Sequence, residues 1–410
     1  MSTTVIESIS TRDRRFKLEV GEGTDSVHKA AEYAFAVALI DTSAGTRGSG
    51  LSFTLGGGND LVCQAVEALA APLVGRDIEE VMADFGRTFR GIADHPQYRW
   101  LGPHKGVVHL ALGALTNACF DLWAKTRAVP LWRLLLDLSP EELVATLDLS
   151  YLEDVLTADE AIAMLRSELD SRTARSDVLE LGYPGYDTSV GWFEFSTGQV
   201  LEKARAAVGE GFGAVKLKVG AADSRRDIDR VFRLREALGP DIRIMLDANQ
   251  QWSLPRAVEI CGELAPMDPY WIEEPTHPDD VFAHRELARA IAPIKLAAGE
   301  AVPNRVIFKN LLQAEAMYFV QVDATRVGGI SEFITVSLLA RKFGKPVVPH
   351  VGDMGQIHQH LVLFNRVALG HEEVFLEYIP HLRDHFVEPA RVEDGRYRVP
   401  TTPGSSSDLR

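Results

Sequence analysis

Three carboxylates recur at regular intervals in one stretch of the chain: Asp247 in IMLDANQQW, Glu273 in YWIEEPTHPDD and Glu300 in IKLAAGE. They stand 26 and 27 residues apart, the length of one strand, loop, helix and loop in a βαβ unit. Each closes a short apolar run. That places each at the C-terminal end of a parallel strand, where the strands of a barrel open onto one mouth. Taken singly, each acid would serve as a helix N-cap or first-turn acid worth ~1 kcal/mol. Three at one repeat length point instead to a shared divalent cation, because carboxylates gathered without one repel each other. All-oxygen ligation suits Mg2+. Zinc would call for His or Cys, and these three runs carry neither.

Acid/base groups stand at the ends of neighbouring runs. AVKLK ends in Lys216 and Lys218, which strand alternation sends to one face. Two adjacent ammonium groups depress each other's pKa, which prepares a lysine to act as a base near neutrality. Asp323 (VQVDATRVGG) and His350 (VVPHVGDMG) are 27 residues apart, so an aspartate is expected to fix the imidazole tautomer from the next strand. Glu377 ends VFLEY, placed to exchange a hydrogen bond with a substrate oxygen. A cation stabilising the enediolate of a carboxylate substrate, with two acid/base groups, permits loss of an α-proton and of a neighbouring hydroxyl.

These residues need a scaffold. Eight strand-like runs are expected at 145–149, 214–218, 242–246, 270–273, 294–298, 318–322, 346–350 and 374–378, with helical patterns such as 225–238 and 330–343 between them. The first gap holds LGYPGYDTSVGWFEFS (181–196), which reads as a long loop on the mouth side. Ahead of the barrel, 33–40 and GLSFTLGGGND read as strands of an antiparallel meander, followed by helical patterns from Asp60 and through 104–136. The expected architecture is α/β, a (β/α)8-type barrel over 146–380 with an α+β capping domain over 1–145. Residues 381–410 would return toward the capping domain.

Composition sets the outer bounds. The 410 residues are 46% hydrophobic and 25% charged, as in a globular chain, with a net charge of −15 that opposes nucleic-acid or anionic-membrane binding. An anionic substrate must therefore be drawn by a local positive focus. MSTTVIESISTRDRRF has no basic start followed by an apolar core, and no run of about 18 apolar residues suggests a membrane span. Three widely spaced cysteines fit a reducing cytoplasm.

The chain resembles the enolase superfamily, in its mandelate-racemase-like subgroup. The resemblance rests on KLK (216–218), LDAN (246–249), WIEEP (271–275), AAGE (297–300), VDATRVGG (322–329) and PH (349–350). Within the subgroup it is most similar to the L-fuconate dehydratases, through LSFTLGGGN (51–59), RWLGPHKGVVHL (99–110), DLWAK (121–125), GYPGYDTSVGW (182–192) and HFVEPARVEDGRYRVPTTPG (385–404). The resemblance implies dehydration of a six-carbon acid sugar to its 2-keto-3-deoxy form, with Asp247, Glu273 and Glu300 holding Mg2+. It implies that Lys218 takes the C2 proton beside Lys216, that His350 with Asp323 assists loss of the 3-hydroxyl, and that Glu377 holds the enediolate. Substrate contacts are implied from the capping loop 23–33 with Asp25 and His28, from the Trp100 turn, from Tyr186 and from Asn249. A homo-oligomer is also implied.

One departure stands out. Where the subgroup pattern is a small run like HAGG, this chain has His350-Val351-Gly352-Asp353-Met354, so a carboxylate is expected near the acid/base histidine. His358-x-His360 resembles an amidohydrolase metal motif, but it falls in a helical pattern after the seventh run rather than on the first strand. An epimerase, racemase or cycloisomerase would use the same ligands. A metal-dependent hydrolase, or a barrel retained only for binding, are the alternatives from other classes.

Overall fold

A computed structural model describes residues 3–29 and 32–410. Residues 30 and 31, within the capping loop 23–33, and the first two residues lie outside the described residues.

The capping domain opens with an antiparallel meander of β1 (Ile6–Lys17), β2 (Glu32–Thr42) and β3 (Arg47–Thr54). The two expected strands are present, and β1 joins them as an edge strand. Its mixed polar sequence, IESISTRDRRFK, gives little apolar alternation, which is why pattern alone passes over it. Helices Asn59–Leu69 and Gly106–Thr126 pack on the sheet. The second is long and apolar enough to cross a membrane, yet 83% of its most apolar window is buried inside the protein. It lies between the meander and the barrel helix Gly329–Lys342, so its apolar residues face protein on both sides.

The barrel is built from β4 (Tyr183–Asp187), β5 (Ala214–Lys218), β6 (Arg243–Asp247), β7 (Trp271–Glu273), β8 (Lys295–Ala298) and β9 (Phe319–Val320), parallel and in order. The seventh stave is reduced to a parallel bridge between Val347 and Val320. The eighth, β10 (Leu376–Tyr378), pairs with β4 in parallel and closes the ring. A hairpin of β11 (Val392–Glu393) and β12 (Arg396–Tyr397) adds antiparallel pairing to the start of β4.

The first stave corrects the sequence expectation. Residues 145–149 are no strand: Thr146 caps the helix Pro140–Ala145, and Asp148 is buried against Arg305 at 2.5 Å. Strand one instead lies in the segment read as a loop. Its Pro184 and Gly185 signal a turn by type, but the site is crowded: a Cβ at Gly185 would stand 3.1 Å from the Tyr397 ring. A glycine fits that gap, and tertiary closure overrides local preference.

The C-terminal segment packs against the capping domain. Ser405 donates through its backbone N–H and hydroxyl to the buried Asp121 carboxylate of helix Gly106–Thr126, at 2.7 and 2.9 Å.

Candidate active site

Register lines up the chemistry at one level. Lys218 on β5 pairs with Asp247 on β6, which pairs with Glu273 on β7. Because successive staves place their last residues side by side, these groups point into one space at the C-terminal end. Asp247, Glu273 and Glu300 offer oxygens that all lie within 4.8 Å of one another. Glu300 Oε2 is buried without a hydrogen-bond partner, which leaves its lone pairs free to meet a cation. The donor set is all carboxylate oxygen, which fits Mg2+.

The two lysines interleave with these acids. Lys216 Nζ lies 2.6 Å from Glu377 Oε1, 2.8 Å from Glu273 Oε1 and 3.7 Å from Asp247 Oδ2. Lys218 Nζ lies 2.6 Å from Asp247 Oδ2. Burial and the neighbouring Lys216 charge favour the neutral form of Lys218, but Asp247, Asp25 and Glu300 together outweigh them and its pKa rises; Lys216 rises likewise against burial, through Glu273 and Glu377. Mutual depression of the two ammonium groups, expected from their spacing, is therefore overridden by Asp247, which reaches both, and by the other carboxylates around them.

His350 comes from the seventh stave. Its Nδ1 is 2.8 Å from Asp323 Oδ2, and its Nε2 is 3.5 Å from Glu300 Oε2. Burial alone would lower its pKa, yet Glu300, Asp323 and Glu377 push it up to about 9. Asp323 is buried, which opposes ionisation, but the imidazoles of His358 and His350 hold it well below the carboxylate range. His358 Nε2 sits 2.9 Å from Asp323 Oδ1, so one aspartate braces two histidines. The His358-x-His360 pair is thus divided: His360 faces the other way, toward the Trp132 backbone N–H and Ser406.

Glu377 is held from three sides, by Lys216, by the Thr188 hydroxyl at 2.6 Å and by the Val351 N–H at 3.0 Å. Lys218, Glu300, His350 and Glu377 line one mouth cavity together with Asp25 and His28. The Asp25 carboxylate accepts from the Val27 and His28 N–H groups and lies 2.8 Å from His28 Nδ1.

Other expected contacts fall elsewhere. Trp100 is 91% exposed and lies outside the cavity lining; its turn instead buries His104, which is 3.0 Å from Asp94. Tyr186 is fully buried inside the barrel, its ring under Lys216 Nζ at 5.6 Å and its hydroxyl without a partner. Asn249 stands two residues after Asp247 with φ of 44° and donates its N–H to Asp247 Oδ1, so it shapes the turn after β6. Asp353 turns inward: Oδ1 accepts the Gly355 N–H, and the residue is absent from the cavity lining, where Val351 and Gly352 stand.

The lining also holds Tyr33, at the end of the expected capping loop 23–33, and Phe53, Trp192 and Arg326, which the residue pattern did not single out. Arg326 lies inside the quoted VDATRVGG motif, so a cation one loop beyond Asp323 was a usable signal. The aromatic residues carried none, since their spacing equally suits a core. Phe53 reaches the mouth because β3 docks on the loop after β9: the Phe53 N–H and Ser52 hydroxyl both donate to Thr325 O at 3.1 Å.

Fold and site together define an enolase-type barrel with a capping domain and a carboxylate metal centre. The comparisons make that particular. The family described as "Mandelate racemase / muconate lactonizing enzyme, N-terminal domain" matches residues 15–135, and "Enolase C-terminal domain-like" matches residues 199–410. The chain belongs to this family of the enolase superfamily. It is 40% identical to human mitochondrial enolase superfamily member 1, over 99% of this chain and 94% of the relative. The crystal structure of that human protein superposes with a TM-score of 0.96, covering 100% of this chain and 95% of that one. An L-galactonate dehydratase of Hypocrea jecorina is 38% identical, over 100% of this chain and 93% of the relative. An L-talarate dehydratase from Polaromonas sp. JS666, solved with Mg and L-glucarate, is 26% identical with a TM-score of 0.75, covering 100% of this chain and 95% of that one. That relative was solved with Mg, and the Asp247, Glu273 and Glu300 oxygens of this chain form a cluster that could hold such a cation. The superfamily and subgroup expectations hold, while these relatives carry L-galactonate and L-talarate in their names rather than L-fuconate.

Proposed function

We propose that this protein is a Mg2+-dependent acid-sugar dehydratase acting on a six-carbon aldonate of the L-galacto series, L-fuconate or L-galactonate. The observation that carries the reading is one cavity holding Lys218 and His350, two acid/base groups from different staves, beside three converging carboxylates.

In this reading Asp247, Glu273 and Glu300 hold the cation. When bound, Mg2+ supplies charge that offsets Asp247 and Glu273 and stabilises the enediolate. Lys216 orients the substrate carboxylate. Lys218 Nζ, neutral once the Asp247 charge that raises its pKa is offset, takes the C2 proton. His350 Nε2 gives a proton to the departing 3-hydroxyl, so the C3–O bond breaks as water leaves. The resulting enol tautomerises to the 2-keto-3-deoxy acid. Glu377, held by Lys216 and Thr188, keeps its place against the developing enediolate.

L-fuconate is L-galactonate without its 6-hydroxyl, so the two expectations, one from sequence motifs and one from a relative, agree in configuration at every stereocentre. An apolar wall cannot strongly reject one added hydroxyl, so kcat/KM for the two should differ by no more than ~10²-fold. Leu55, Val351 and Ile379 supply apolar lining.

The test is a screen of purified protein with Mg2+ against acid sugars, reading 2-keto-acid formation. Turnover of L-fuconate or L-galactonate is expected. Turnover of other acid sugars alone would keep the reaction and overturn the substrate. Epimerised substrate without keto acid would overturn the dehydratase reading.

A further inference from the structure

We propose that Trp271 is a positioning residue for the metal centre, acting through Glu273. The inference rests on the assignment of Glu273 as a Mg2+ ligand.

The indole Nε1–H of Trp271 donates to Glu273 Oε2 at 3.0 Å, while Lys216 Nζ sits 2.8 Å from Oε1. One donor on each oxygen fixes the rotation of the carboxylate about its last bond. Without the indole, Lys216 alone would hold it, and Lys216 also engages Glu377 at 2.6 Å. A single shared ammonium, able to reorient, defines a carboxylate plane less well than two donors do.

Trp271 is two residues before Glu273 on β7, so alternation sends both side chains into the barrel. The ring is itself locked. It is fully buried, with Tyr186 edge-on at 5.4 Å, Phe319 at 4.9 Å and Tyr270 at 5.4 Å. An indole held on three sides cannot swing to another acceptor. The buried N–H would also cost free energy if unpaired, so donor and ligand hold one another.

Phenylalanine at this position keeps an aromatic ring and removes the N–H together with part of the indole volume, so the packing loss is read separately from apo thermal unfolding. Tyr186 serves as the control: it belongs to the same cluster, but its hydroxyl has no partner, so Tyr186→Phe removes no bond to the centre. The experiment is a calorimetric Mg2+ titration of the wild type, Trp271→Phe and Tyr186→Phe, with apo thermal unfolding alongside.

Trp271→Phe is expected to weaken Mg2+ binding by 10–100-fold. At saturating Mg2+ its kcat should stay within a few-fold of wild type, and Tyr186→Phe should bind Mg2+ normally. Unchanged affinity in Trp271→Phe overturns the proposal alone. Equal weakening in both variants also overturns it, because the effect would then be packing. A wild type that binds no Mg2+ overturns the metal assignment together with the proposal.

Discussion

At the scale of single residues, Lys218 and His350 have different supports and should fail differently. Lys218 is tied to the metal acids through Asp247, whereas His350 is tied to Asp323 and meets the centre only at Glu300. Lys218→Ala and His350→Asn should each lower turnover by ~10²–10⁴-fold. His350→Asn should bind Mg2+ as the wild type does, measured by titration; loss of metal binding there would make His350 a ligand rather than an acid/base group. A second prediction concerns His360, which burial pushes down to about 3 while it accepts the Trp132 N–H. The unfolded imidazole titrates near 6.5, so between about 6.5 and 3 the unfolded state binds a proton that the native state does not. Stability from this group is therefore present above 6.5 and lost as pH falls. Relative to His360→Asn, which keeps an acceptor, the wild type should lose ~1.4 kcal/mol per pH unit below 6.5, read from denaturant unfolding at several pH values. A constant difference across that range would show that His360 protonates freely in the folded protein.

At the scale of elements, the mouth depends on how closely the capping sheet approaches the barrel. Gly50 on β3 faces helix Gly106–Thr126 so closely that a Cβ would stand 2.1 Å from Ala114 O and 2.2 Å from Ala118 N. Both contacts are backbone and cannot yield by rotating a side chain. Gly50→Ala should cost ~1–3 kcal/mol and displace Phe53 from the cavity, raising KM more than it lowers kcat. Unchanged unfolding and kinetics would show that the helix shifts freely. This packing explains what the sequence could and could not disclose. Asp247, Glu273, Glu300, Lys218 and His350 were legible because strand ends and repeat length fix their positions with no knowledge of contacts. Asp25 and His28 entered through the family resemblance and do reach the mouth. Trp100 entered the same way and does not, because a turn's direction depends on what it packs against, here His104 rather than the indole. The first stave was hidden because Pro184 and Gly185 are chosen for the hairpin packed on them, a partner more than 200 residues away in sequence.

At the scale of the whole molecule, two parts of the chain complete one mouth and the last residues bind them. The loop over the cavity is pinned to the barrel by Phe193 N–H to Thr24 O at 3.0 Å, by Ser26 to Ala248 O at 3.2 Å and by Glu22 to His381 at 3.2 Å. Asp121 receives N–H groups from Ser49 and Ser405 at 2.8 and 2.7 Å, tying sheet, helix and C-terminal segment at one buried acid. Asp121→Ala would leave both donors buried and unpaired, at ~1–3 kcal/mol each, an effect visible as a lowered Tm. A Tm within a degree of wild type would mean that water replaces the carboxylate.

The ring closes where β10 meets β4, and the same join brings Glu377 to Lys216. Seen as a sequence of events in time, the mouth is not complete until its eighth stave arrives with Glu377. Staves one to six can pair as they emerge, each beside its predecessor, while the outer edge of the first waits for the eighth. Such distant pairing makes folding slow, since loop closure is bought before any contact rewards it. In refolding from denaturant, helical signal should recover first and turnover last. Turnover returning in step with the helical signal would mean that the ring closes early and that its two ends find each other before the staves between them are laid down.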